Sequence, residues 1–247
     1  MDDQKQTVRA VERALDVVLC FTDSAELTLT EIAAKVSLHK STVHRLLASL
    51  EGRGFVIRNT ETDKYRIGFR IWELAANMEY GDDPATILLP EMERLRDLVG
   101  ETISLYVRDG TERLRIQAVQ SNQAIRRVAP IGARMPLSVG ASSKALIAFA
   151  EPAVQSELLE ALIWTDAGER AVFEKKLDEI RRLGYATSVE EREPGAAAVA
   201  APIFSRTHKL AAALAVSGPA NRLTLERMRE HAPQIIDAAT RMGKMMR

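Results

Sequence analysis

Eight side chains between residues 40 and 66 have the types and the spacing to contact a nucleic acid. Lysine and arginine bind phosphate oxygens, and a guanidinium also pairs with guanine. Hydroxyl and imidazole groups form hydrogen bonds with phosphates and with base edges. The eight residues are Lys40, Ser41, Thr42, His44, Arg45, Arg58, Lys64 and Arg66. Their chemistry suits recognition of duplex DNA rather than bond cleavage.

Two short helices are predicted to position the first five of these side chains. Thr28 and Glu31 have the spacing of a capping box, in which a hydroxyl and a carboxylate pair with backbone N–H groups at a helix start. The apolar residues of this helix recur at helical spacing, at Leu29, Ile32, Ala33 and Val36. A short turn at residues 37–39 separates it from a second helix, which begins near His39 or Lys40.

The second helix is predicted to bury one face and expose the other. Its apolar residues recur at steps of three and four, at Val43, Leu46, Leu47 and Leu50. The five polar and basic residues lie on the opposite face. Residues 51–54 end the helix, because their glycines readily adopt a left-handed backbone.

A hairpin is predicted to carry the other three basic residues. Residues 55–58 and 64–67 are rich in β-forming side chains, and polar residues 59–63 form the turn. Two helices followed by such a hairpin are typical of a winged helix-turn-helix, whose second helix enters the DNA major groove. Residues 29–70 contain eight Lys or Arg and four Asp or Glu, a net charge of plus four in a chain of zero formal net charge. This asymmetry favours a nucleic-acid surface, although the same charges also suit an ordinary solvated face.

Length and composition predict a soluble globular protein of one large or two ordinary domains. The chain has 247 residues, of which 46% are hydrophobic and 28% charged. Its N-terminal segment lacks a signal-sequence pattern, and no apolar run approaches the roughly 18 residues that cross a bilayer. The single cysteine, Cys20, excludes an internal disulfide. It is expected on the buried face of a first helix, near Val17 and Phe21, rather than as a reactive thiol. We therefore expect a cytoplasmic protein.

The chain is predicted to have an α+β fold in three parts. Residues 1–68 form the winged helix-turn-helix domain, whose first helix, over residues 8–21, runs through Val11, Leu15, Val18 and Leu19. Residues 69–84 form a linker helix, which glycine and proline interrupt at residues 81–84. Residues 85–247 form a mixed α/β domain. The apolar linker side chains suit either core packing or a dimer contact, and we favour the contact because a protein with a wing usually reads two half-sites as a dimer.

The C-terminal domain is predicted to contain a sheet with helices on its faces. Helices are expected at residues 87–99, 141–150, 154–163, 169–183 and 225–242, and strands at 102–107, 114–120, 125–131 and 210–217. Residues 196–201 are ambiguous, because their alanines favour a helix whereas Pro194-Gly195 and Pro202 bracket only six residues. The order of strands and helices indicates a small-molecule sensor sheet of the GAF type.

No catalytic residue, metal site or cofactor is predicted. The sequence lacks the glycine-rich phosphate-binding motifs, and its four histidines lack metal-ligand spacing. Ser142, Ser143 and Lys144 bring hydroxyls near an amine, which leaves a nucleophilic enzyme open as an alternative. A serine cap at the start of the following helix explains these residues better.

Several segments in order carry a resemblance to a known family. The N-terminal ones are Arg13-Ala14-Leu15, LTLTEIAAKVSLHKSTVHRLLASLEGRGF and YRIG, and the C-terminal ones are GETISLYVRDG, IGARMPLSVGASSKALIAF, AAVAAPIF and AALAVSGP. Through nearly its full length the chain resembles the IclR family of transcriptional regulators. The resemblance implies a winged helix-turn-helix, a linker helix and a GAF-like effector-binding domain. It also implies dimers or dimers of dimers that bind palindromic operators and respond to small metabolites, commonly organic or aromatic acids.

The resemblance further implies an effector pocket. The turn after the Met135 segment offers backbone N–H groups to a ligand carboxylate, which suits the unpaired donors and positive dipole of a helix N-terminus. The implied pocket residues are Met135, Gly140, Ala141, Ser142, Ser188, Ala198, Ala215 and Ser217. The alanine lining suggests a ligand larger or more apolar than a two- or three-carbon keto acid, such as an aromatic carboxylate, although these alanines also suit plain packing. An effector-independent architectural protein with a filled pocket remains a second alternative.

Overall fold

Two compact units, residues 1–81 and 82–247, make up the chain. The computed structural model describes residues 7–76, 84–126 and 130–246. The predicted α+β class is confirmed, since each unit combines helices with an antiparallel sheet.

The N-terminal unit contains the predicted helix, turn, helix and hairpin. Its elements are α1 (Arg9–Leu19), a 3₁₀ turn (Cys20–Thr22), β1 (Leu27–Thr28), α2 (Leu29–Lys35), α3 (Lys40–Gly52), β2 (Val56–Arg58), β3 (Lys64–Ile67) and α4, described over Phe69–Ala76. The three strands form an antiparallel sheet in the order β1-β3-β2. The rest of the predicted linker helix, residues 77–80, and its interruption at residues 81–83 lie outside the described residues.

The start of α2 has the predicted capping box. The Thr28 backbone N–H donates to Glu31 Oε2 at 2.7 Å, and the Glu31 backbone N–H donates to the Thr28 hydroxyl at 3.3 Å. Ile32 of α2 and Val43 and Leu47 of α3 are fully buried in one core. Because α3 buries this face, its opposite face is turned to solvent.

Helix α1 and the turn after it bury Val17 and Phe21, the residues expected beside Cys20, but expose most of the predicted apolar stripe. The predicted stripe is largely exposed, with Leu15 57% and Leu19 65% accessible, whereas Val17 and Phe21 enter the core. The helix carries apolar residues on two faces, and the core of this small unit accommodates only one of them. Cys20 is half-buried in the 3₁₀ turn after α1 rather than in the helix itself, and burial raises the pKa of its thiol.

The C-terminal unit is a six-stranded antiparallel sheet with helices on both faces. Its elements are α5 (Pro84–Ile87), α6 (Leu89–Val99), β4 (Thr102–Asp109), β5 (Glu112–Val119), β6 (Arg134–Pro136), α7 (Ala141–Ala148), α8 (Pro152–Ala161), α9 (Ala167–Leu183), β7 (Ala186–Val189), β8 (Ala196–Phe204), β9 (Leu210–Pro219) and α10 (Leu225–Met245). The strand order is β6-β5-β4-β9-β8-β7. Residues of α6 and α10 pack in one hydrophobic cluster, and residues of α7, α8 and α9 pack in the other.

The structure corrects two expectations for this unit and resolves a third that the sequence left open. The described residues of the predicted strand 125–131 are irregular, the third strand is instead the short β6, and residues 127–129 lie outside the described residues. The ambiguous segment 196–201 belongs to strand β8. The predicted helix 87–99 breaks at Leu88, because Pro90 has no N–H for the Thr86 carbonyl and its ring would collide with that carbonyl in a continuous helix.

Candidate functional sites

Helix α3 presents most of the predicted DNA-contacting side chains to solvent. Lys40, Ser41, His44 and Arg45 are exposed, and Thr42 is half-buried. The Ser41 hydroxyl lies 3.0 Å from His39 Nδ1, at the start of the helix. Within the described part of the chain, neither Lys40 nor Arg45 forms an ion pair. The face therefore offers two uncommitted cations and several hydrogen-bonding groups.

The wing presents its three basic residues unequally. Arg58 Nε donates to Asp63 Oδ1 at 2.7 Å, and the Arg58 guanidinium lies 5.8 Å from the Tyr65 ring centroid. Lys64 is half-buried and Arg66 is exposed on the neighbouring strand. Arg58 thus stabilises the hairpin turn through Asp63. Because its guanidinium is already paired, Arg58 is a weaker candidate for phosphate binding than the sequence suggested.

The C-terminal unit contains a small cavity at the N-terminus of α7. Its volume is about 50 Å³. It is lined by Tyr106, Arg113, Gly140, Ala141, Ser142, Ser188, Arg192, Ala196, Ala197, Ala198, Ala215 and Ser217. Seven of the eight residues assigned to the pocket from the sequence are therefore brought together. The eighth, Met135, does not line the cavity but contacts two residues that do. Its Sδ is 3.9 Å from Arg113 Nη2 and 2.6 Å from Arg192 Nη1.

A buried arginine, Arg113, holds the turn that begins α7 through two hydrogen bonds. Arg113 Nη1 donates to the carbonyls of Pro136 and Val139, at 2.8 and 2.7 Å. Gly140 is the N-cap residue, with φ at 99°, where a side chain is strongly disfavoured. These contacts hold the turn whose residues Gly140, Ala141 and Ser142 line the cavity. A helix N-terminus beside a cavity is a suitable site for an anion.

Positive charge is concentrated on this side of the cavity. Arg115 is 1% exposed, and its Nη2 donates to the Tyr106 hydroxyl at 2.7 Å. The guanidinium carbons of Arg113 and Arg115 lie 5.6 and 5.3 Å from the Tyr106 ring centroid. Arg113 lines the cavity, and its positive charge favours an anion there because opposite charges attract.

The sheet forms the opposite wall with serine and alanine. Ser188 pairs with Ala198, and Ala198 pairs with Ser217, so the three side chains form a row across β7, β8 and β9. Ser217 is 6% exposed, and within the described structure its hydroxyl has no hydrogen-bond partner. A buried hydroxyl without a partner is unfavourable, so this group marks a position where a ligand oxygen would be stabilised.

One sequence interpretation of this region is corrected, and another stays a prediction. No serine side chain caps α7, because Gly140 is the N-cap and the Ser143 hydroxyl donates to the Pro136 carbonyl at 3.2 Å. The cavity of about 50 Å³ is smaller than a cavity of about 150 Å³ that is known to hold benzene, so the expected aromatic ligand would require the cavity to widen. Tyr106, Arg113 and Arg192 were missed, and the only local signal was the alternation of arginines in the predicted strand at Arg113 and Arg115.

Lys144 and Glu191 form an ion pair beside the cavity. Lys144 Nζ donates to Glu191 Oε1, and Glu191 Oε2 accepts the Gly140 backbone N–H at 3.1 Å. Burial lowers the pKa of Lys144, and the hydrogen bond to Glu191 opposes that shift. The amine is therefore committed to a carboxylate and does not activate the neighbouring serines.

The described residues contain neither a metal-binding group nor a membrane-spanning helix. Residues 7–76, 84–126 and 130–246 contain no group of three or more His, Cys, Asp or Glu side chains that could hold a metal ion. Over the same ranges, every helix is too short or too polar to cross a bilayer.

Two family models match the chain. One, the IclR helix-turn-helix domain, covers residues 10–59, and the other, bacterial transcriptional regulator IclR C-terminal, covers residues 83–243. The chain belongs to the IclR family. It is therefore a DNA-binding transcriptional regulator with an effector-binding C-terminal domain, as its sequence predicted.

Relatives and solved structures agree with this placement of the IclR-family chain. It is 32% identical to the HTH-type transcriptional regulator BhcR of Paracoccus denitrificans over 96% of this chain and 86% of that protein. It is 28% identical to the HTH-type transcriptional regulator KdgR of Escherichia coli over 100% of this chain and 95% of that protein. An IclR homologue of Microbacterium hydrocarbonoxydans, crystallised with 4-hydroxybenzoate, is 27% identical with a TM-score of 0.77, over 93% of this chain and 98% of that one.

Proposed function

We propose that this regulator binds a palindromic operator as a homodimer or dimer of dimers, and that a small organic acid in the α7 cavity controls its operator affinity. The observation that carries the proposal is the partnerless Ser217 hydroxyl on one wall of a cavity whose other wall is the N-terminus of α7. This pair of walls suits a carboxylate at the amides and a second oxygen at the serine. We assign the protein no catalytic activity and no cofactor, and we place it in the cytoplasm.

The DNA-binding surface is assigned to α3 and the wing. Lys40, Ser41, Thr42, His44 and Arg45 would enter the major groove. Lys64 and Arg66 would contact the phosphate backbone, and Arg58 would support the wing through Asp63. The exposed apolar side chains of α4, led by Trp72 at 68% exposure, support a homodimer because a contiguous apolar surface is unfavourable in water.

Control would operate through linked equilibria. Two α3 helices must be spaced to match two half-sites, so only some arrangements of a dimer bind the operator well. An acid that binds these arrangements with a different affinity from the others shifts their populations. The operator must then change the affinity for the acid by the same factor.

The test uses an operator selected in vitro from random duplexes by the full-length protein. Carboxylic acids are first screened by thermal shift, since a bound ligand raises stability. Each acid that raises Tm is then titrated against the complex with the selected duplex, and fluorescence anisotropy reports DNA affinity. We expect at least one acid to change that affinity by about 5- to 150-fold.

A matched pair of variants locates the effect in the cavity. Ser217→Ala removes a cavity hydroxyl, whereas Ser104→Ala removes another buried hydroxyl that has no partner in the described structure and does not line the cavity. Acid binding should weaken in Ser217→Ala and persist in Ser104→Ala. If no acid raises Tm, or if both variants respond alike, effector control through this cavity is wrong and the effector-independent alternative is favoured.

A further inference from the structure

The Glu191 carboxylate occupies a position that suits a bound acid. One of its oxygens accepts the Gly140 backbone N–H at 3.1 Å, and the other accepts from Lys144 Nζ. Gly140 is the N-cap of α7, so the carboxylate lies at the positive end of the helix. A carboxylate held between a helix-terminal amide and an ammonium is a typical anion arrangement, and here the anion comes from the chain itself.

The two donors are fixed, whereas their acceptor belongs to a loop. Lys144 lies in α7 with its side chain 7% exposed, and Glu191 lies in the connection between β7 and β8 with its side chain 35% exposed. A buried ammonium requires a counter-ion, because an unpaired charge in the interior is costly. Any carboxylate at this position would satisfy Lys144 and Gly140, whether or not it belongs to Glu191.

The ion pair lies between two spaces. Gly140 lines the 50 Å³ cavity, and Lys144 and Glu191 line an outer groove of about 570 Å³. Trp164 and Phe173 contribute aromatic surface to that groove. Movement of Glu191 away from Gly140 would therefore free an amide at the cavity's border and open the cavity toward this larger space.

We propose that the Gly140 N–H and Lys144 Nζ form a carboxylate clamp, which Glu191 fills in the free protein and which the effector's carboxylate takes over by displacing Glu191. This inference rests on the proposed function and extends it, because it adds Lys144 as a ligand contact and Glu191 as an internal competitor. The partnerless Ser217 hydroxyl across the cavity would receive the ligand's second polar group. Displacement also accounts for how a cavity too small for a ring could admit an aromatic acid.

The test is isothermal titration calorimetry on the full-length protein with two probes, pyruvate and 4-hydroxybenzoate. Glu191→Ala removes the competitor, so it should bind at least one probe about tenfold or more tightly than the wild type does. Glu191→Gln keeps an acceptor for Gly140 but loses the charge, and it should give a smaller gain. Adding Lys144→Gln to Glu191→Ala should abolish the gain, because the ligand then loses its ammonium contact.

Glu190→Ala is the matched control. Glu190 belongs to the same loop and carries the same charge, but its carboxylate accepts the Gly195 N–H at 2.7 Å instead of a donor of the clamp. It should bind both probes as the wild type does. The clamp is wrong if neither Glu191 variant binds a probe more tightly, if neither probe binds Glu191→Ala, if Glu190→Ala gains equally, or if the gain survives Lys144→Gln.

The outcomes separate this inference from the proposed function. If the wild type binds an acid that changes operator affinity while Glu191→Ala binds it no more tightly, the clamp fails and effector control stands. If Glu191→Ala gains affinity through Lys144 while no acid changes operator affinity of the wild type, the clamp stands and effector control fails.

Discussion

The Arg113 guanidinium packs against the backbone at Gly140. Its Nη1 donates to the carbonyl of Val139 at 2.7 Å, and a Cβ built on Gly140 would lie 3.2 Å from its Nη2. Arg113 is 3% exposed and is held by the Pro136 carbonyl as well, so it has little freedom to retreat. The turn thus depends on an arginine from β5 and on the absence of a side chain at the start of α7.

Gly140→Ala should therefore lower stability and weaken acid binding together. The residue has a φ of 99°, and a side chain in such backbone costs about 1–3 kcal/mol. The contact with Arg113 adds to that cost and shifts the amides that face the cavity. Gly110→Ala is the control, because Gly110 has a φ of 58° and its Cβ would meet nothing within 4 Å. Urea unfolding and calorimetry should show the larger loss at Gly140, and equal losses would contradict the role of Arg113.

Arg45→Ala should weaken operator binding in a sequence-dependent way. Arg45 is exposed on the face of α3 that we propose enters the major groove, and loss of a bidentate contact to a base costs about 1–3 kcal/mol. Repeating the in vitro selection with the variant should show relaxed preference at one position in each half-site. An unchanged affinity and an unchanged selected sequence would exclude Arg45 as a base reader.

Lys64→Ala and Arg66→Ala should weaken binding to all duplexes alike. Each removes a proposed phosphate contact and should reduce the slope of log affinity against log salt by about one. Arg58→Ala is informative beside them, because Arg58 is paired with Asp63 in the hairpin. Its direct contribution to the salt slope should be smaller, and a slope change as large as that of Arg66→Ala would show that Arg58 leaves Asp63 on DNA.

Thr28→Ala should destabilise the start of α2. Loss of a threonine N-cap costs about 1 kcal/mol, and Thr28 also holds the pKa of Glu31 below its ordinary value of 4.5, through its backbone N–H first and its hydroxyl second. A carboxyl whose folded pKa is lowered stabilises the fold above its unfolded pKa, and that contribution is lost as the pH falls through the folded pKa. The protection factors for hydrogen exchange over residues 29–36, which correct for the pH dependence of intrinsic exchange, should thus fall in Thr28→Ala and, in the wild type, below pH 4.5. Thr30→Ala, in the same helix, should leave exchange unchanged.

The N-terminal unit was predictable because its determinants are local. Thr28 and Glu31 are three residues apart, and the α3 stripe repeats within two turns. The sequence pattern does not identify β8 as a strand, because both of its faces are buried. Ala197 and Val199 pack in one hydrophobic cluster and Ala200 packs in the other. With both faces buried, no polar alternation separates a strand from a helix.

The cavity was only partly predictable for a different reason. The positions of its alanines and serines came from family resemblance, whereas Arg113 reaches carbonyls 23 and 26 residues away and Glu191 reaches an amide 51 residues away. Such contacts depend on which strands become neighbours. Local propensity therefore contains no information about them, and the charged side of the site was visible only in the folded chain.

Trp72→Glu should disrupt the proposed dimer. Trp72 is 68% exposed on α4, and Phe69 on the same helix is 67% exposed, so a carboxylate there would be unfavourable within an apolar contact. Light scattering should show a smaller species, and binding to a duplex with two half-sites should fall toward the affinity for one half-site. Leu225→Glu, at a residue 48% exposed at the start of α10, is the control and should retain the wild-type mass. A Trp72→Glu protein of unchanged mass and operator affinity would place the dimer contact elsewhere.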